Sequence, residues 1–215
     1  CFVLVPSSHA LQIVDNETVV IEAGEVIEDD LMVFANELVM DGTVKGDLIV
    51  FGTTADINGL EEGDLMGGAQ EFTINGTVED DVRLGGTVVT LGEAARIGDD
   101  LMAGAYSLEN KVGSLVEGDM LMGVGQSRLA GEIAGDLLMS GGGLELLGTV
   151  GGDVQAEVGS ATDAPVFSPF TFMPNAPNVP SFTWGLTIDE QAQIGGDLTY
   201  TSSAEADIPA NVVAG

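Results

Sequence analysis

Gly42-Thr43-Val44-Lys45-Gly46-Asp47-Leu48 is the stretch that decides the fold, because the chain keeps returning to it. Its pattern recurs as Gly76-Thr77-Val78-Glu79-Asp80-Asp81-Val82, Gly131-Glu132-Ile133-Ala134-Gly135-Asp136-Leu137 and Gly148-Thr149-Val150-Gly151-Gly152-Asp153-Val154. Working outward, an Asp followed by an apolar residue stands at Asp30, Asp47, Asp64, Asp81, Asp100, Asp119, Asp136, Asp153 and Asp197. Successive intervals are 17, 17, 17, 19, 19, 17, 17 and 44 residues. Gly or Asp precedes each of them. Three places upstream stands Val or Ile in every case but one: at Glu61, Leu60 reads as having slipped by a position.

A period near 17 with glycine every few residues rules out stacked helices, which need i, i+3, i+4 apolar spacing and lose stability at each interior glycine. Three short stretches of alternating apolar residues fit into one period, parted by turns such as Asp41-Gly42, Asn58-Gly59 and Asn75-Gly76. The spacing therefore predicts an all-β chain, a parallel β-helix with three strands of four to five residues per coil. Nonapeptide calcium repeats and strict hexapeptide coils do not match the rhythm.

Each position in the period then acquires a role. Residues one and three after the Asp point inward, as with Leu48 and Val50, Leu101 and Ala103, Leu137 and Met139. The residue between them points outward, yet Met32, Ile49, Met66, Met102, Leu121 and Leu138 occupy that place. Stacked about 4.8 Å apart, they form an apolar stripe on a face that water would otherwise wet, the mark of a lateral self-association surface. A covering loop would be the other explanation. The Asp column sits at a corner, where its oxygens are expected to accept N–H bonds of the turn. Binding of hard divalent cations is the alternative role.

Composition narrows the function. There are 35 Asp and Glu against 5 Lys and Arg, a net charge of −30, so nucleic acid is excluded as the main partner. Cys1 and His9 are the only residues of their kinds, which leaves no Cys/His metal site, no intrachain disulfide and no internal His for nucleophilic catalysis. The acidic residues are spread along the repeat, not gathered as one isolated pair of the kind a glycoside hydrolase needs. The expectation is a protein that is not an enzyme and that has no cofactor and no metal centre.

The chain divides by composition. Residues 1–10 are an apolar run followed by Pro6 and small residues, with Ser8 and Ala10 at −3 and −1 of a cleavage point, which reads as the remnant of a signal peptide. Residues 11–23 read as a lead-in or cap, 24–159 as coils, 192–207 as a final coil and 208–215 as a tail. Between the coils, residues 160–191 hold five of the seven prolines with Phe167, Phe170, Phe172, Phe182 and Trp184. This insertion is too rich in proline for a core strand and is expected either to project as a candidate aromatic binding loop or to fold back over the stripe.

The Gly-x-Val-x-Gly-Asp-Leu coils, over about residues 24–159 and again at Ala192-Gln193-Ile194-Gly195-Gly196-Asp197-Leu198, resemble the bactofilins, polymer-forming cytoskeletal proteins of bacteria. The resemblance implies a right-handed, three-sided β-helix whose copies stack end to end into a homopolymer near a membrane. Membrane association would come through segments outside this chain. With the signal-like start, it places the protein in the cell envelope, outside the cytoplasm; the alternative is a cytoplasmic, membrane-associated protein. The expected function is a self-assembling or scaffolding structural protein. The alternative is a binding module or adhesin that uses the insertion or the acidic face for glycan or cations.

Overall fold

The computed structural model describes residues 11–160 and 177–214 and is an all-β solenoid of parallel strands. In chain order the first strands are β1 (Gln12–Ile21), β2 (Val26–Ile27), β3 (Leu31–Met40), β4 (Thr43–Val44), β5 (Leu48–Ile57), β6 (Leu60–Glu61), β7 (Leu65–Ile74), β8 (Thr77–Val78), β9 (Val82–Leu91) and β10 (Arg96–Ile97). They continue as β11 (Leu101–Asn110), β12 (Leu115–Val116), β13 (Met120–Leu129), β14 (Glu132–Ile133), β15 (Leu137–Leu146), β16 (Thr149–Val150), β17 (Val154–Val158), β18 (Gly185–Ile188), β19 (Gln193–Ile194) and β20 (Leu198–Thr201). Long strands stack on long strands and short on short, always in parallel, from the first coil to the last.

The coil is less even than the sequence predicts. Each ten-residue strand is two straight stretches, of five and four residues, which meet at a corner residue left out of the pairing register. That residue is Asn36 in β3, Thr53 in β5, Tyr106 in β11 and Gly142 in β15. The corner shifts the inward phase, so Leu48 and Val50 face the core before it and Ala55 and Ile57 after it. The third side is only two residues long. The sides are thus five, four and two residues rather than three of equal length.

Turn length accounts for the two repeat periods. A ten-residue strand, a two-residue turn, a two-residue strand and a three-residue corner ending at the Asp add to 17. Where the first turn has four residues, as at 92–95 and 111–114, the sum is 19. These longer turns close on themselves, Ala95 N–H donating to Gly92 O and Ser114 N–H to Lys111 O, each at 3.0 Å. Gly113 takes φ +96° there, a conformation that L side chains avoid. In the short turns the coils approach so closely that a Cβ on Gly59 would lie 1.9 Å from the Gly42 carbonyl oxygen.

Inward columns of Leu, Val, Ile, Met and Ala form one continuous core, with Leu48, Leu65, Leu101 and Leu137 in a single stack and none more than 1% exposed. Phe72 is buried beside the smaller Ala55, its partner in register, so bulk is traded between adjacent coils. Polar side chains interrupt the inward columns, among them Glu61, Asn110 and Ser127. Glu61 corrects the sequence reading. No slip occurs; Glu61 lies in register between Val44 and Val78 and points inward with them, while Leu60 stays on the outer side.

The solenoid begins earlier than expected, since β1 lies within the segment assigned to a lead-in and pairs with β3 from Gln12 to Ile21. The insertion occupies a corner. The chain leaves after Val158 in β17 and returns at Gly185 in β18, which supplies the second stretch of the same coil against β15. At the far end the tail is not free. Ile194 N–H donates to Val212 O at 2.7 Å, Ala214 N–H donates to Ile194 O at 3.0 Å, and Val212 is buried, so this part of the last coil is capped.

Candidate functional site

The Asp column is a hydrogen-bonded ladder along the whole solenoid. Oδ1 of each Asp accepts the backbone N–H of the Asp one coil further on, from Asp30 and Asp47 (3.0 Å) through Asp119 and Asp136 (2.8 Å) to Asp153 and Asp197 (2.8 Å). The acceptor therefore serves the next coil and not its own turn. This fixes Oδ1 of each carboxylate from Asp30 to Asp153 and leaves Oδ2 outside the ladder. A second ladder runs along the short turns: Asn58 Nδ2 donates to Asp41 Oδ1 and Asn75 Nδ2 to Asn58 Oδ1, both at 2.9 Å.

Beside the Asp ladder lies the stripe, in register from coil to coil: Ile13, Met32, Ile49, Met66, Arg83, Met102, Leu121 and Leu138, followed by the polar Gln155 and Thr199. Met102, Leu121 and Leu138 are 39–49% exposed, so none of the described residues covers the lower half. Two places further along the same outward face, Phe34 and Phe51 stack with ring centroids 5.6 Å apart and extend the apolar area toward the N-terminal end. The sequence reading missed these phenylalanines. Their alternation with Met32 and Ile49 was the signal for them.

Arg83 divides the stripe. Its guanidinium leaves the apolar column sideways and pairs with Asp64 Oδ2 at 2.7 Å and with Asp81 Oδ2. Nearby carboxylates crowd together. Oxygens of Asp64, Asp80 and Asp81 lie within 4.8 Å of one another, as do those of Asp81, Asp99 and Asp100. Partial desolvation, and then the charges of Asp100, Asp81, Asp80 and Asp119, raise the Asp99 carboxyl above its ordinary range. Below Arg83 a groove of about 430 Å³ runs between ladder and stripe, walled by Asp100, Asp119, Asp136 and Asp153 and floored by Met102, Leu121 and Leu138.

The returning part of the insertion packs on the adjacent side of the solenoid, away from the stripe. Gln126 holds both ends of the turn, donating through Nε2 to Pro180 O and accepting the Phe182 N–H at Oε1. Glu145 accepts from Thr183 N–H at 2.6 Å and from Arg128 Nε at 2.7 Å, and Arg128 lies 4.5 Å from the Phe182 ring centroid. Burial opposes ionisation of Glu145, but the hydrogen bonds from Thr183 and Arg128 outweigh it and hold the carboxyl below its ordinary range. Phe182 is buried and Trp184 half-buried, so these two are anchors and not the free binding surface expected of them. Phe167, Phe170 and Phe172, like residues 1–10, lie outside the described residues.

No family model, curated protein or solved structure matches this chain.

The buried Glu61 is the other group that composition could not place. One oxygen accepts the Gly63 N–H at 3.3 Å and the other has no partner among the described residues. Burial, with smaller contributions from Asp47, Asp30 and Glu62, pushes its carboxyl up to about 9, so it is protonated at neutral pH. It faces the packed core, where no substrate would reach it.

Proposed function

We propose that this protein is a non-enzymatic structural element, a bactofilin-like solenoid that assembles with copies of itself into a scaffold of the cell envelope. The observation that carries this reading is the first coil. Among the described residues, β1 is paired on one side only, and it offers a ten-residue backbone edge with Ile13 and Val20 exposed beside it. An edge of that length is a template for another strand unless something blocks it. The upper stripe at Met32, Ile49 and Met66, with Phe34 and Phe51, adjoins this edge and would extend the contact between copies.

Capping of β19 by the tail makes the two ends unequal and favours contacts through the N-terminal coil over the open stacking at both ends that the sequence suggested. Residues 1–10 support a place outside the cytoplasm through their signal-like pattern. The binding-module reading is weaker, because Phe182 and Trp184 are engaged with the solenoid. Negative-stain imaging of the purified protein at low and high salt tests the proposal: filaments or regular oligomers at high salt are expected, and discrete monomers under both conditions would count against it.

A further inference from the structure

We infer that the lower groove docks a basic, aliphatic segment of a partner protein, with its cationic side chains on the free Asp oxygens and its aliphatic side chains on Met102, Leu121 and Leu138. Arg83 supplies the template within the chain. From the stripe column it reaches the ladder and joins two successive carboxylates through Oδ2, leaving both Oδ1 atoms to the backbone. Four coils with the same ladder follow: Asp100, Asp119 and Asp136 stand beside the exposed Met102, Leu121 and Leu138, and Asp153 beside the polar Gln155. Among the described residues none of these four Asp is paired with a Lys or Arg.

A second copy of this chain is a poor occupant. Of its five Lys and Arg, Lys45, Arg83 and Arg128 are already in ion pairs and Arg96 donates to the Ala95 carbonyl at 2.9 Å and to that of Gly113, which leaves Lys111 as the one basic side chain without an ion pair or hydrogen bond among the described residues. A wall of four carboxylates therefore asks for more positive charge than a second copy, itself at −30 with one free lysine, would bring, while the floor asks for aliphatic side chains. The four Asp span about 14 Å at ~4.8 Å per coil, the reach of about five extended residues. One guanidinium per pair of carboxylates, as at Arg83, calls for two cations roughly 10 Å apart. Gly104 and Gly123 leave the far side of the stripe open, since a Cβ on either would meet nothing within 4 Å. A peptide backbone has room to lie there.

The test is titration of the full chain with a short synthetic peptide alternating arginine and leucine, read by calorimetry. The variant is Asp119→Asn with Asp136→Asn, in which Oδ1 remains to accept the next N–H. The control, Asp30→Asn with Asp47→Asn, removes the same charge from the other end of the ladder. Loss of ~10-fold or more in affinity for the groove variant is expected, with a change under ~2-fold for the control. Leu121→Thr, which leaves the ladder intact, is expected to weaken the same peptide while sparing an arginine-serine peptide. The inference is overturned if the peptide does not bind, if both Asp pairs weaken it equally, or if the arginine-serine peptide binds as well as the arginine-leucine one. The oligomeric state of the unliganded protein is a separate readout, so self-assembly and docking stand or fall independently.

Discussion

The backbone N–H of Asp47 donates to Oδ1 of Asp30 at 3.0 Å, and Asp47 Oδ1 in turn accepts from Asp64 at 3.1 Å. The repeated Asp is thus a structural acceptor that stitches each coil to the next at the corner where strand pairing lapses. Stacked carboxylates repel, by about 1 kcal/mol per neighbour in water. The ladder persists because each carboxylate satisfies an N–H that would otherwise lack a protein partner.

Replacing Asp136 by Ala removes the acceptor for the Asp153 N–H (2.7 Å) and is expected to cost ~1 kcal/mol in urea unfolding. Asp136→Asn keeps an acceptor oxygen and removes a charge, so its midpoint is expected to match or exceed that of the wild type. Equal loss in both variants would mean that the charge, and not the hydrogen bond, matters.

Glu61→Val restores the apolar column of Val44 and Val78 and is expected to stabilise the protein by ~2 kcal/mol or more at pH 7, because it removes a buried carboxyl with an unpartnered oxygen. The pH dependence has a definite sign. With the folded value near 9 and the ordinary value 4.5, the native state binds the extra proton between them. The Glu61 contribution is therefore largest below the ordinary value and falls as pH rises toward 9. Stability measured from pH 5 to 9 should decline more steeply in the wild type than in Glu61→Val; parallel curves would contradict the assignment.

Trp184 is the only tryptophan and reports on the docked insertion. Glu145→Ala removes the acceptor for Thr183 N–H and the partner of Arg128, so a red shift in Trp184 emission and faster proteolysis within 160–184 are expected, with the solenoid intact. In the wild type, stabilisation by the ionised Glu145 is present above the ordinary carboxyl range and is lost as pH falls below it. The same red shift should appear on acidification. An emission spectrum unchanged in Glu145→Ala would place the anchor elsewhere.

The repeat was legible because a solenoid writes its geometry in the chain: one Asp per coil, flanked by inward Leu48 or Leu137, announces both period and phase. The stripe was legible for the same reason, being a column. Unequal sides were harder to see, since the corner residues Asn36, Thr53, Tyr106 and Gly142 share no side-chain chemistry and show only as a break in phase. Glu61 was misread because a charged residue in an apolar column looks like a shift of register; neutralisation by burial is invisible in composition. The docking of Phe182 against Arg128 depends on contacts between residues 54 positions apart, which no local pattern carries.

Sedimentation velocity across a salt series is the direct test of self-assembly, since screening shortens the reach of the charge from ~30 Å at 0.01 M to ~8 Å at 0.15 M. Monomers are expected at low salt and growing assemblies as salt rises, with Ile13→Glu at the β1 edge and Met66→Glu in the adjoining stripe each shifting the transition to higher salt or abolishing it. A monomer at every salt and protein concentration, indistinguishable from both variants, would contradict it.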